Sequence, residues 1–261
     1  MGILRNMRNR FTDELAVCGL NTVMAVAEYH PEQINRLFFR EDRLKLFTGV
    51  CKTLAERKRP YKICEDEELE KICKTPHHQG VVAMIYLPDL EPLSRPDLED
   101  WAREGSTGLV LHSVGNDLNL GAMVRSAAFF DARYIVISEA DPEANLSTSA
   151  YRTAEGGMEH VSVRSIRNTA AFLRDASRSL ITIGTDPRAR QKIGSLGRIV
   201  EEKKKAGLSG IALVLGNEET GLPDEVKANC STLVRIPGTG LMDSLNVAQT
   251  ATLFMHRVFE L

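Results

Sequence analysis

No apolar run in these 261 residues approaches the length of a membrane-spanning helix. The basic start MGILRNMRNRF has neither a secretory apolar region nor a cleavage site, and position 6 is Asn where lipidation after Met1-Gly2 needs Ser or Thr. Five cysteines, at positions 18, 51, 64, 73 and 230, contain no C-x-x-C pair. An odd count without zinc-type spacing points to reduced thiols in a cytoplasmic protein, used as core or surface filler. The six histidines form no H-E-x-x-H, and the adjacent His77-His78 read as structural or as incidental surface rather than as metal ligands. Neither the lysine of a P-loop nor a G-x-G-x-x-G fingerprint occurs, which weakens any nucleotide or nicotinamide reading. With a net charge of −2, bulk electrostatics do not announce a nucleic-acid binder.

Against these absences, the composition is ordinary for a globular protein, with 43% hydrophobic and 26% charged residues. The length suits one large domain or two modest ones. Basic residues bunch at Arg5, Arg8 and Arg10 and again at Arg57, Lys58, Arg59 and Lys62. Such runs are commonly solvated faces; here they permit an anionic partner.

Periodicity divides the chain. Residues 1–87 read as a small α/β unit, with helical patterns over Leu20–Tyr29, Leu44–Arg59 and Glu65–Lys74 and strands near Ile34–Phe39, Tyr61–Cys64 and Val81–Leu87. Residues 88–107 carry Pro88, Pro92 and Pro96 among acidic residues and read as a linker with at most one helical turn around Leu98–Trp101. From residue 108 to 261 apolar runs at Leu109–Leu111, Tyr134–Ile137, Leu180–Ile183, Ile211–Leu215 and Leu233–Ile236 alternate with helical stretches near 121–130, 168–179, 196–205 and 244–259. That alternation predicts an α/β fold with a mostly parallel sheet covered by helices on both faces.

Three segments bear chemistry, each where an apolar run breaks into a turn or a helix start, so that backbone amides are open to a ligand. The first, Gly115 to Arg125, contains Asn119-Leu120-Gly121 and follows a strand. Arg125, four residues after Gly121, would share a face with the helix start and answer an anion there, or else form a surface salt bridge. The second is the strand Ile211–Leu215 running into Gly216-Asn217-Glu218, where Gly216 admits a close backbone approach and Glu218 sits in a cleft or a solvated turn. The third is Ile236-Pro237-Gly238 leading to Ser244-Leu245-Asn246. Ser244 would cap the last helix, which leaves Asn246 in its first turn without a helix-forming reason.

Together, and in this order, the three segments resemble the motifs of the SpoU (TrmH-like) RNA ribose 2′-O-methyltransferases of the SPOUT superfamily. Cys18-Gly19-Leu20-Asn21-Thr22-Val23 through His78-Gln79-Gly80-Val81 resembles the L30e-like RNA-recognition domain that precedes the catalytic domain in many members. Arg152-Thr153-Ala154-Glu155-Gly156-Gly157-Met158-Glu159 stands where relatives carry another glycine-containing segment. The resemblance implies a C-terminal trefoil knot, an exception to unknotted topology. It further implies S-adenosylmethionine held among the knot loops and a homodimer whose active site draws on both subunits. The substrate would be ribosomal or transfer RNA. Cofactor contacts then fall on Gly216, Ile236 and Leu245, and the catalytic positions on Asn119, Arg125, Glu218, Ser244 and Asn246. Glu219, Gly238, Ala248-Gln249 and Phe130-Asp131 depart from the family's usual residues, which keeps in play a non-catalytic RNA-binding protein that retains the fold.

Overall fold

In the computed structural model, which describes residues 13–139 and 146–261, the chain forms two units. The first opens with strand β1 (Glu14–Cys18), helix α1 (Leu20–Tyr29), β2 (Ile34–Phe39), α2 (Leu44–Glu56), β3 (Tyr61–Ile63), α3 (Asp66–Cys73) and β4 (Val81–Tyr86). The four strands make one sheet in the order β1-β4-β2-β3, antiparallel except for the β2–β3 pair. Alternation along the strands sends Val17, Leu37, Phe39 and Ile85 to a core shared with Val23, Phe47 and Leu54 of α1 and α2. The opposite face carries Cys18, Val82 and Met84 against Leu69 and Cys73 of α3, so these cysteines are core filler. His78 is buried and accepts the Gly80 amide through Nδ1, a structural role. Of the basic residues in this unit, Arg59 donates to the carbonyls of Glu32 and Ile34 and Lys62 pairs with Glu68. Arg5, Arg8 and Arg10 lie outside the described residues.

The second unit begins at Leu90. Residues 88–107 differ from the expected linker, because Arg95–Glu104 form helix α4. Ser94 and Asp97 cap it reciprocally, Pro96 occupies its first turn, where a missing N–H costs nothing, and Gly105 ends it with φ 68°. Trp101 is fully buried, stacks on Tyr134 with ring centroids 4.8 Å apart and donates from Nε1 to the Ser106 carbonyl. Proline density misled here because two of the prolines serve a β-bridge (Pro92 with Ser165) and a helix start.

The chain continues through β5 (Thr107–Leu111), α5 (Asp117–Phe129) and β6 (Ala132–Ser138). It then returns to the first unit for residues 146–159, where α6 (Thr148–Ala154) lies against β1 and Tyr151 joins the core of that unit. The boundary expected at 108 therefore does not divide the molecule cleanly. The second unit resumes with β7 (Ser162–Ile166), α7 (Thr169–Ala176), β8 (Ile181–Thr185), β9 (Gln191–Lys192), α8 (Leu196–Lys205), β10 (Ile211–Leu215), α9 (Asp224–Ala228), β11 (Thr232–Arg235) and α10 (Val247–Phe259). All seven strands are parallel, in the order β7-β6-β5-β10-β8-β11-β9. Helices α4, α7 and α9 pack with Val110, Val136, Ala212 and Val214 on one face, while α10 packs with α5, α8, β5 and β10 on the other. Burial on both faces explains why β10 reads as the unbroken apolar run Ile-Ala-Leu-Val-Leu.

Candidate active site

Because the strands are parallel, β5, β10, β8 and β11 all end at one edge, where open α/β sheets bind their ligands. The loops leaving β5, β10 and β11 carry the three chemistry-bearing segments. Hydrogen bonds join them in a chain: Asn119 Nδ2 donates to Glu218 Oε1 at 2.5 Å, and Asn246 Nδ2 donates to Asn119 Oδ1 at 3.0 Å. The Asn119 amide is thus held at both ends, with its orientation set by a carboxylate on one side and an amide on the other. Residues 119, 218 and 246 come from the segments that follow three different strands, and only the shared carboxyl edge of the sheet brings them together.

Local structure corrects two expectations. Helix α5 starts at Asp117, capped by the Asn116 side chain accepting the Leu118 amide, so Asn119-Leu120-Gly121 lie within its first turns. Arg125 consequently stands exposed well inside the helix, six residues beyond Asn119, or about 9 Å further along the axis, rather than at a helix start. Helix α10 starts at Val247, and its cap is Asn246, whose Oδ1 accepts the amides of Ala248 and Gln249. Asn caps at least as well as Ser, so Ser244 remains exposed in the preceding loop. One asparagine therefore both caps α10 and positions Asn119, which resolves why a poor helix former stands there.

Asn217, not singled out among the sequence candidates, organises the β10 exit. Its Oδ1 accepts the amides of Glu219 and Thr220, its carbonyl accepts the Gly221 amide, and its Nδ2 donates to the Ser113 carbonyl at the β5 exit. The run Asn-Glu-Glu-Thr-Gly is an Asx-turn signature and was the available signal. His112, also at the end of β5, shares a 3.0 Å hydrogen bond between Nδ1 and Thr169 Oγ1 that no sequence spacing indicates. At the β8 exit, burial pushes the Asp186 carboxyl up, but Lys227 and the Arg188 amide outweigh it and hold it below the usual carboxylate range.

The loops suit S-adenosylmethionine in their chemistry. A Cβ at Gly216 would stand 2.5 Å from the Gly221 carbonyl, so only glycine lets the loop fold back against the β10 exit. Around Gly238 and Gly240 nothing lies within 4 Å of where a Cβ would be, and Leu241, Met242 and Leu245 are exposed beside them. This leaves room for a ligand against glycine backbone beside apolar side chains, as a ligand with a polar amino-acid end and an aromatic base requires. Ile236, just past β11, is half-buried in the same loop. Among the described residues no group of three or more metal-ligating side chains occurs, and no helix is long and apolar enough to cross a membrane.

Comparison with known proteins agrees with this geometry. Residues 106–256 match the model of the SpoU rRNA Methylase family, and residues 16–89 match that for RNA 2′-O ribose methyltransferase substrate binding. The uncharacterized tRNA/rRNA methyltransferase YfiF of Escherichia coli O157:H7 is 30% identical over 246 residues, 93% of this chain and 67% of that protein. The 23S rRNA (guanosine-2′-O-)-methyltransferase RlmB of Acinetobacter baylyi is 30% identical over 249 residues, 91% of this chain and 94% of that protein. In fold, the AdoMet-bound rRNA methyltransferase of Sinorhizobium meliloti superposes with a TM-score of 0.75 at 23% identity, over 96% of this chain and 88% of that one. With more than half of its length matched by that family model, the chain belongs to the SpoU rRNA methylase family.

Proposed function

We propose that this protein transfers the methyl group of S-adenosylmethionine to a ribose 2′-hydroxyl of ribosomal or transfer RNA. The observation that carries the reading is the hydrogen-bonded chain Glu218–Asn119–Asn246, which ties the three family segments together at the carboxyl edge of the sheet. When bound, the cofactor supplies a methyl already activated on a sulfonium, so the protein's work is alignment and the handling of one proton. The backbone at Gly216, Ile236 and Leu245 holds the cofactor, with Ser244 alongside. Asn119, fixed from both sides, orients the acceptor ribose. Arg125 acts as an electrostatic clamp on the RNA phosphate and the incipient alkoxide. A guanidinium is a poor base and an amide is none, which leaves Glu218 as the one group of the set able to take the hydroxyl proton.

Arg125 reaches the ribose in a homodimer with a shared active site, which fits its exposed place six residues beyond Asn119. The glycine loops at 216–221 and 236–246 belong to a trefoil knot, and the reaction takes place in the cytoplasm. The joined polar chain counts against the non-catalytic reading.

The test is single-turnover transfer of labelled methyl to a purified RNA pool, with the 2′-O position mapped in RNA from a deletion strain. Arg125→Ala should slow transfer by on the order of a hundredfold or more while calorimetry shows S-adenosylmethionine binding retained. Arg125→Lys keeps the charge without the planar fork and should recover part of the rate. Transfer by Arg125→Ala at the parent rate would remove Arg125 from the mechanism, and failure of the parent to bind the cofactor would remove the mechanism itself.

A further inference from the structure

The cations expected to meet an anion in the first unit are partly absorbed there, Arg59 by backbone carbonyls and Lys62 by Glu68. At the far side of the catalytic sheet they are not. The β8 exit reads Asp186-Pro187-Arg188-Ala189-Arg190 and leads directly into β9. Ala189 is buried while Arg188 and Arg190 on either side of it are exposed, so the turn presents two guanidinium groups outward. The one carboxylate of this turn is already engaged: Asp186 pairs with Lys227 at 2.8 Å and accepts the Arg188 amide at 2.7 Å. Next, Lys192 of β9 stands in register opposite Arg235 at the end of β11. Like charges directly opposite on neighbouring strands repel. Among the described residues Arg188, Arg190, Lys192 and Arg235 form no ion pair with a carboxylate within 4.0 Å, and the nearby Asp186, which attracts Arg188 through space, is shared with Lys227.

Position gives the strip its meaning. β8, β11 and β9 follow β10 in the sheet, and the four cations lie at or beyond the same carboxyl edge that carries Glu218. With parallel strands about 4.8 Å apart, β9 lies about 14 Å from β10 across that edge, a span that a short run of nucleotides covers. We infer that Arg188, Arg190, Lys192 and Arg235 form a phosphate-binding strip that holds the backbone of the substrate RNA beside the methylated ribose. The inference rests on the methyltransferase reading and adds to it a second RNA surface, carried by the catalytic unit itself. Guanidinium groups suit phosphate oxygens in pairs, and such contacts set the register of the RNA without reading its sequence.

The test uses the full chain and purified bulk ribosomal RNA as the probe. The dissociation constant is measured against salt for the parent, for Arg188→Gln/Arg190→Gln/Lys192→Gln, for Arg235→Gln and for Arg188→Lys/Arg190→Lys. Removing one cation that neutralises a phosphate lowers the slope of log affinity against log salt by about 0.7–0.9. The triple variant should therefore reduce the slope by about 2.1–2.7 and bind at least tenfold more weakly, with the effect carried by KM rather than by kcat. Its cofactor affinity and thermal midpoint should match the parent. Arg235→Gln should reduce the slope by about 0.7–0.9, and the double lysine variant should keep the parent slope. Parent-like affinity and slope in the triple variant, or a lysine variant as weak as the glutamine one, overturns the strip. A parent that methylates while the substitutions change nothing leaves the methyltransferase reading intact. Conversely, strip-dependent RNA binding without methyl transfer removes that reading and leaves the strip.

Discussion

Asn246 illustrates how one side chain is constrained twice. Its Oδ1 caps α10 and its Nδ2 fixes Asn119, so replacing it mixes a stability effect with a catalytic one. Serine separates them, because it caps a helix about as well as asparagine but carries no amide to donate. Asn246→Ser should leave the thermal midpoint roughly unchanged and slow methyl transfer severalfold, whereas Asn246→Ala should in addition cost about 1 kcal/mol of stability. Paired denaturation and single-turnover measurements check this, and an Asn246→Ser enzyme with parental turnover would show that orienting Asn119 is unimportant.

At the scale of elements, α4 and the β10 exit are the most exposed to test. Trp101 is fully buried in the second core and stacked on Tyr134, and a Cβ at Gly108 would stand 2.5 Å from its ring. Trp101→Ala should destabilise by about 3–5 kcal/mol, read from the denaturant midpoint, as expected for truncating a large core side chain. A change within a few tenths of a kcal/mol would return residues 88–107 to the status of a linker. At the β10 exit, Gly216→Val must push its Cβ against the backbone of Gly221 and Leu222, at 2.5 and 2.7 Å. The loop then has to move, so cofactor affinity and folding stability should both fall, the latter by roughly 1–3 kcal/mol of overpacking, with a lowered thermal midpoint. Weakened binding with an unmoved midpoint would mean that the side chain fills a cofactor cavity instead.

For the whole molecule the prediction concerns assembly. The apolar residues Leu253, Phe254 and Val258 of α10 are divided between core and surface. Phe254 and Val258 are 1% and 8% exposed within the subunit's own core, and only Leu253, at 43%, faces outward. The apolar residues left at the ends of α5 and α10 are Phe129 and Phe259, 79% and 63% exposed, clustered around Phe130. A patch of this kind fits a self-complementary contact between two copies. We therefore expect Phe129→Asp/Phe259→Asp to sediment as a folded monomer where the parent sediments as a dimer. A parent that is monomeric at micromolar concentration would rule out the shared site through which Arg125 is proposed to act.

The sequence by itself determined what depends on local pattern. Apolar period and length located β10 and α8 to the residue, and three glycine-containing breaks in order were enough to mark the family. These signals are local because burial on both faces and turn geometry each constrain a few consecutive residues. Only the tertiary structure decided what depends on residues far apart in the chain. It bonded Asn119 to residues 218 and 246, placed Trp101 in a core although prolines surround it, and grouped residues 146–159 with the first unit. It also transferred the N-cap from Ser244 to Asn246 and buried Phe254 and Val258. Each of these outcomes turns on which distant surface a side chain meets, and no spacing along the chain encodes that meeting.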